Sequence, residues 1–265
     1  VPSFLWVITF FYIPLIAIIG RSFLVRNQVS LEHYTSFAAL SYLSVIKRSL
    51  FLALGTSMVC LLIAYPVAYF VARYVSRKWK SLFLFFIMLP FSVNLLIQAY
   101  SWFFVLAPSG IINSVLLSVG IIREPLYLLN TPGAVYLGMV YCYVPFMLMP
   151  LYSSLEKIDI RFIEASLDLG AGWYYTLSHV VLPLSMQGII TGFFLVFIPV
   201  FGEFVVPALL GGGKQLFVGS LISYYFLTTR NMALGSAFTC LSSGILLVVA
   251  YVIYWCLQRY NRHGG

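Results

Sequence analysis

Six stretches of this chain are apolar almost without interruption, at roughly 2–22, 44–72, 81–106, 132–155, 180–206 and 232–258. A helix needs ~20 mostly apolar residues to cross the hydrocarbon core of a bilayer. Within that core every backbone N–H and C=O must find its partner inside the protein, which leaves helices and closed barrels as the spanning structures. The short alternating segments of a barrel are absent. The sequence therefore predicts an all-α integral membrane protein with six spanning helices, forming one membrane domain over 1–265. Only 8% of the residues are charged, against about a quarter in a soluble domain. The first stretch is too long for a secretory leader and lacks its small-residue cleavage site.

Net charge is +8, yet its distribution argues against a nucleic-acid partner. The one dense cluster, Arg73, Arg77, Lys78 and Lys80, occupies the link between the second and third spans. Basic loops beside spans face the cytoplasm, which, with an even number of spans, places both chain ends inside. Arg21, Arg26, Lys47 and Arg48 then lie on or near the outer side, in and around a polar segment holding Asn27, Gln28, Glu32 and His33. Cys60, Cys142, Cys240 and Cys256 fall singly within spans, where a thiol is a small packing group. His33, His179 and His263 are too dispersed for a metal site. The run GGGKQ at 211–215 resembles a phosphate loop superficially, but Ala208 stands at its leading glycine and Gln215 at its Ser/Thr. No metal, nucleotide or other cofactor is expected on this chain, and no catalytic set is present.

Two polar features sit where lipid-facing residues would not. Glu203 is the one acidic residue placed well inside an apolar span, and a carboxylate there is costly unless paired or lining a watery path. Gly202, Pro199 and Pro207 surround it, so the fifth span should be broken near Pro199 and expose carbonyls. A carboxylate with carbonyls suits a cationic substrate. The competing reading puts Glu203 near the outer surface, capping a helix or pairing with Lys214 or Arg230. In the third span, Asn94, Gln98, Ser101 and Trp102 share one helix face. Tyr100 and Tyr143 add further rings, and aromatic faces attract ammonium groups. Interhelical contact or an interfacial aromatic belt explains Trp102 and Tyr100 equally well. Pro66, Pro145 and Pro150 should bend the second and fourth spans. Gly188 and Gly192 form a GxxxG pair whose expected use is packing within the chain. The segment SGIINSVLLSVG should lie along the outer membrane surface.

Between the fourth and fifth spans, a polar loop at about 156–179 carries Glu156, Lys157, Asp159, Arg161 and Glu164 within nine residues. Ile160, Ile163, Leu167 and Ala171 recur at helical spacing and predict one apolar stripe able to enter a partner's groove. Glu164 and Asp168 lie four apart on one flank, and Gly170 permits the turn that ends the helix. Residues 164–183 read EASLDLGAGWYYTLSHVVLP. This resembles the EAA loop of bacterial ABC-importer permeases: Glu-Ala-Ala, three residues, Gly, nine residues, Ile, one residue, Leu-Pro. Here Glu164, Ala165, Ser166, Gly170, Val180, Leu182 and Pro183 hold those places, Ser166 and Val180 departing conservatively. PFSVNLLIQAYSW at 90–102, the stretch at 126–159 and FGEFVVPALLGGGKQ at 201–215 are similar to polyamine-importer permeases in particular. Such relatives usually carry Arg where this chain has Gln98, which changes the charge of that face.

The resemblance implies a type I ABC-importer permease fold in the bacterial inner membrane, with a cytoplasmic coupling helix. It implies half a translocation path for spermidine or putrescine, lined by Glu203, Asn94, Gln98, Ser101, Trp102, Tyr100 and Tyr143. Ile163, Glu164, Ala165, Ser166, Leu167, Asp168 and Gly170 would couple to the ATPase. Implied partners are a related, non-identical second permease, two ATPase subunits carrying ATP and Mg, an extracytoplasmic polyamine-binding protein, and lipid. A permease for another small cation, such as an amino-acid-like cation, thiamine or ferric iron, is the nearest alternative. An ion-gradient-driven transporter would carry inverted repeats and more intramembrane charge, and neither is visible.

Overall fold

The computed structural model describes residues 2–25, 28–30, 32–37 and 40–263, so Arg26 and Asn27 lie outside the described residues. Helices α1 (Pro2–Val7) and α2 (Ile13–Ser22) join through a π-turn at Ile8–Tyr12. A two-residue antiparallel pair comes next, β1 (Leu24–Val25) with β2 (Gln28–Val29), and then the short α3 (Glu32–Ser36). That pair is the one departure from an all-helical fold among the described residues. Helix α4 (Leu40–Arg73) runs unbroken through Pro66.

The third predicted span is two helices, α5 (Arg77–Met88) and α6 (Leu95–Leu106). Pro90 starts a single 3-10 turn at Pro90–Ser92, Val93 is extended, and Asn94 caps α6 by accepting from the Leu96 N–H at 2.8 Å. A proline without an N–H followed by a strong cap residue restarts the helix rather than bending it. Helix α7 (Ile111–Ser118) packs back against α6. The third apolar run long enough to cross a membrane is accordingly Leu95–Ser118, and five others are Phe4–Ser22, Ser41–Arg73, Pro132–Glu156, Trp173–Gly202 and Met232–Arg259.

Helix α8 (Pro132–Glu156) carries Pro145 and Pro150 without interruption. The loop after it holds α9 (Ile160–Asp168) and α10 (Trp173–Thr176), and a π-turn at Leu177–Val181 leads into α11 (Leu182–Gly202). Pro199 does not break α11 as expected; the helix ends one turn later, at Gly202. Beyond it come α12 (Val205–Leu210), α13 (Val218–Ser223), a π-turn at Tyr224–Thr228 and the long α14 (Met232–His263). Between α12 and α13, Gly212 and Gly213 take φ of 60° and 67°, making the irregular loop that three glycines predict.

The core is the triangle of α4, α8 and α11, filled by Cys60, Met147, Leu148, Leu151, Val196 and Phe197. Gly188 and Gly192 are what bring α11 so close to α8. A Cβ on Gly188 would lie 2.7 Å from the Pro150 carbonyl oxygen, and one on Gly192 would lie 2.8 Å from the Met147 sulfur. The GxxxG pair is intramolecular packing. Helices α2 and α14 pair with each other outside this triangle. Side chains such as Leu62, Phe104 and Leu247 point outward, each more than two-thirds exposed, as hydrocarbon-facing residues should.

Candidate functional site

Glu203 is the C-cap of α11 and has extended backbone, φ −70° and ψ 133°. The helix stops there because the carboxylate turns forward to serve the next one. Its Oε1 accepts from the Phe204 and Val205 N–H groups at 3.0 and 2.8 Å, at the start of α12. Such groups carry no intrahelical partner and form the positive end of the helix dipole. The Tyr143 hydroxyl of α8 donates to Oε2 at 2.9 Å. Gly219 of α13 presses on the Gly202–Glu203 backbone from behind, where a Cβ would collide with the Gly202 carbonyl. Glu203 is half-buried, and no ion pair joins it to Lys214 or Arg230 among the described residues. The capping half of the competing reading therefore holds, and the pairing half does not.

The span-three residues separate. Gln98, Ser101 and Trp102 line one cavity of about 340 Å³ together with Pro90, Val93 and Tyr141. Asn94 stands outside that lining as the exposed cap of α6, and Tyr100 faces away, 49% exposed. Gln98 is only 8% exposed, and its amide donates to the Pro90 and Val93 carbonyls at 2.6 and 2.8 Å. Both donors are thus spent on the carbonyls that the break at 89–94 leaves open, a role the sequence reading missed. Ser101 bonds back to the Ile97 carbonyl. Trp102 meets Tyr141 edge-to-face at 5.3 Å, which is interhelical contact. Tyr141 and Tyr143 are two residues apart on α8, about 200° around the helix. The Gln98 cavity is lined by Tyr141 and not by Tyr143 or Glu203, so the cavity and the Tyr143–Glu203 pair do not share one lining.

At the other end of the bundle, α9 is a built helix with both ends satisfied. Asp159 caps it by accepting from the Arg161 N–H at 3.0 Å. Gly170, φ +82°, closes it: its N–H reaches the Leu167 carbonyl and the Ala171 N–H reaches that of Ser166. These two bonds are a Schellman cap. The predicted apolar stripe is divided. Ile163 is buried at 6% exposure, whereas Ile160 and Leu167 stay 52% and 43% exposed. An amphipathic helix spends its best apolar position on its own protein first, so Ile163 anchors α9 rather than facing a partner. The open apolar surface is a hollow beside it, about 740 Å³, lined by Phe162, Ala165, Ser166, Leu169, Tyr175 and Val180 among others. Leu169 is 89% exposed at its rim. Ser166 and Thr176 share a hydrogen bond at 3.0 Å across its floor, and Glu164 and Asp168 are exposed on α9. Phe162, Leu169 and Tyr175 escaped the sequence reading, although Phe162 within the charged helix and Leu169 at its end were visible signals.

The chain is 39% identical over 261 residues to the spermidine/putrescine transport system permease protein PotB of Escherichia coli, covering 96% of this chain and 94% of that one. PotB of Haemophilus influenzae is also 39% identical, over 98% of this chain and 93% of its own. Among solved structures, the bacterial alginate ABC transporter in complex with its alginate-bound periplasmic protein shares the fold. Its TM-score is 0.78 at 17% identity, covering 98% of this chain and 92% of the matched one. Residues 64–262, which run from within α4 to the end of α14, match the family described as binding-protein-dependent transport system inner membrane component. With six helices among the described residues apolar enough to cross a membrane and that match over most of its length, the chain belongs to this family of multi-pass inner-membrane permeases.

Proposed function

We propose that this chain is the permease subunit of an ATP-driven importer and forms half of a translocation path for polyamines. The observation that carries the reading is its 39% identity, over nearly its whole length, to permeases named for spermidine and putrescine transport. In this reading the chain performs no covalent chemistry and binds no nucleotide. A second, related but non-identical permease supplies the other half of the path. Two ATPase subunits, carrying ATP and Mg, dock against α9 and its hollow in the cytoplasm, and an extracytoplasmic binding protein delivers the polyamine. Both chain termini are cytoplasmic, on the same side as Arg73, Arg77, Lys78 and Lys80.

The path reading of Glu203 draws support from its position. It is a carboxylate at a helix break, open to one side and short of a cationic partner among the described residues. A polyammonium ion would supply that cation. ATP binding draws the two coupling helices together and turns the path outward; hydrolysis lets it return. Reconstitution tests the reading. The chain, its second permease, the ATPase and the binding protein are placed in proteoliposomes and given spermidine, putrescine or a neutral solute of similar length. ATP hydrolysis that rises with either polyamine and not with the neutral solute is expected. A complex that hydrolyses ATP but ignores both polyamines would overturn the substrate assignment.

A further inference from the structure

Four side chains outside the path and the docking hollow converge where α4 ends, α5 begins and α8 passes into α9. Arg73, the last residue of α4, donates from Nη2 to the Ile158 carbonyl at 2.8 Å, in the short loop between α8 and α9. Lys80, in the first turns of α5, reaches back to the Ala72 carbonyl at 2.9 Å and across to Glu156 Oε1 at 3.2 Å. Glu156 is the last residue of α8, and Tyr152, one turn before it, donates to the same Oε1 at 2.6 Å. Lys80 and Glu156 form the one ion pair among the described residues, and the lysine side chain is only 19% exposed. A cation on the last carbonyls of a helix also suits the helix dipole.

Helix α5 has no buried residue. Leu84 and Ile87 pack part-buried against the core, and its polar ties lie near its two ends: this cluster at one, and the Pro90 break held by Gln98 at the other. We propose that Lys80, Glu156 and Arg73 are positioning residues for the coupling helix. They strap the α4–α5 link to the segment that carries α9, so that force arriving at α9 moves α5 as well as α8. Helix α5 then delivers the displacement to the break at 89–94, beside the Gln98 cavity. The sequence shows the basic cluster only as a marker of membrane side; the structure gives two of its members a mechanical task. The proposal rests on the reading of α9 as the ATPase-docking element.

The test uses the assembled complex in proteoliposomes, with spermidine uptake and ATP hydrolysis read together for Lys80→Met, Glu156→Gln and the double variant. Glu156→Gln keeps an acceptor for Tyr152, so the measurement survives if Lys80→Met fails to accumulate. Each single variant should take up about threefold less spermidine per ATP hydrolysed, the scale of one part-exposed ion pair. The double variant should lose no more than Lys80→Met alone, since that substitution already removes the ion pair that Glu156→Gln removes. The amount of bound ATPase should not change. Wild-type uptake per ATP in the single variants, or losses that multiply in the double, overturns the strap. A Leu169→Asp variant separates this from the docking reading. If it sheds the ATPase while the strap variants stay fully coupled, the strap alone falls; if it keeps the ATPase bound, the docking reading falls with it.

Discussion

Glu203 holds two backbone N–H groups on one oxygen and the Tyr143 hydroxyl on the other, so different substitutions there remove different things. Gln keeps a carbonyl oxygen for the two N–H groups and removes the charge. Ala removes the charge and leaves the start of α12 without its acceptor. A hydrogen bond to a charged group contributes ~1.5–3 kcal/mol, so losing the charge should lower spermidine uptake at limiting substrate about tenfold or more. Glu203→Gln should show that loss with little change in thermal stability, while Glu203→Ala should add a cap loss of ~1 kcal/mol. Uptake titrations and melting of the purified complex read the two effects separately. Wild-type uptake by the Gln variant would reduce Glu203 to a cap. Tyr143→Phe frees one carboxylate oxygen and leaves the charge, so it should leave the cap intact and keep most of the uptake.

Between elements, close approach decides the fold, and α8 against α11 is one such seam. A Cβ on Gly188 would come within 2.5 Å of the Ser154 Cβ and 2.7 Å of the Pro150 carbonyl oxygen, whereas one on Gly20 of α2 meets nothing within 4 Å. Overpacking a fitted interface costs ~1–3 kcal/mol, while alanine in place of an open helical glycine gains up to ~1 kcal/mol. Gly188→Leu should therefore lower the melting temperature of the detergent-solubilised chain and Gly20→Ala should not; equal melting of the two would sink this account of the interface. The helices themselves were legible, because the twenty-residue apolar runs and the turn glycine Gly170 are local signals. Their breaks were less so. Pro66, Pro145 and Pro150 sit inside continuous helices, Pro90 ends one, and Pro199 ends one a turn late. The difference lies about one turn beyond each proline. Asn94 and Glu203 accept there from backbone N–H groups and start a new helix, whereas Phe70 and Met149 carry no such acceptor and Ser154 stays within α8. Gln98 and Ile163 were legible as residues on a face but not as partners. Whether a face turns to a ligand, a broken backbone or its own core depends on neighbours distant in sequence.

For the whole molecule, the arrangement of the two candidate regions along α11 fixes a directional prediction. Helix α11 and the turns before it span Trp173 to Gly202, a length of ~45 Å at 1.5 Å per residue, enough to cross the hydrocarbon core. The hollow beside α9 lies at its beginning and Glu203, α12 and the glycine loop lie at its end, so these regions are expected to face opposite sides of the membrane. The Lys80–Glu156 ion pair puts the basic link on the same side as α9, and a basic link marks the cytoplasm. The proposed orientation thus draws on charge and packing together, where the charge tally alone left Lys47 and Arg48 opposed to it. Single cysteines at Leu169, 89% exposed, and at Lys214, exposed in the glycine loop, make this measurable in a chain whose exposed Cys256 is replaced by Ser. A membrane-impermeant maleimide added to right-side-out vesicles should label the 214 position and spare the 169 position, and inverted vesicles should reverse the pattern. Labelling of both from one side would mean that α11 does not cross, and the opposite polarity would place α9 outside, out of reach of any ATPase.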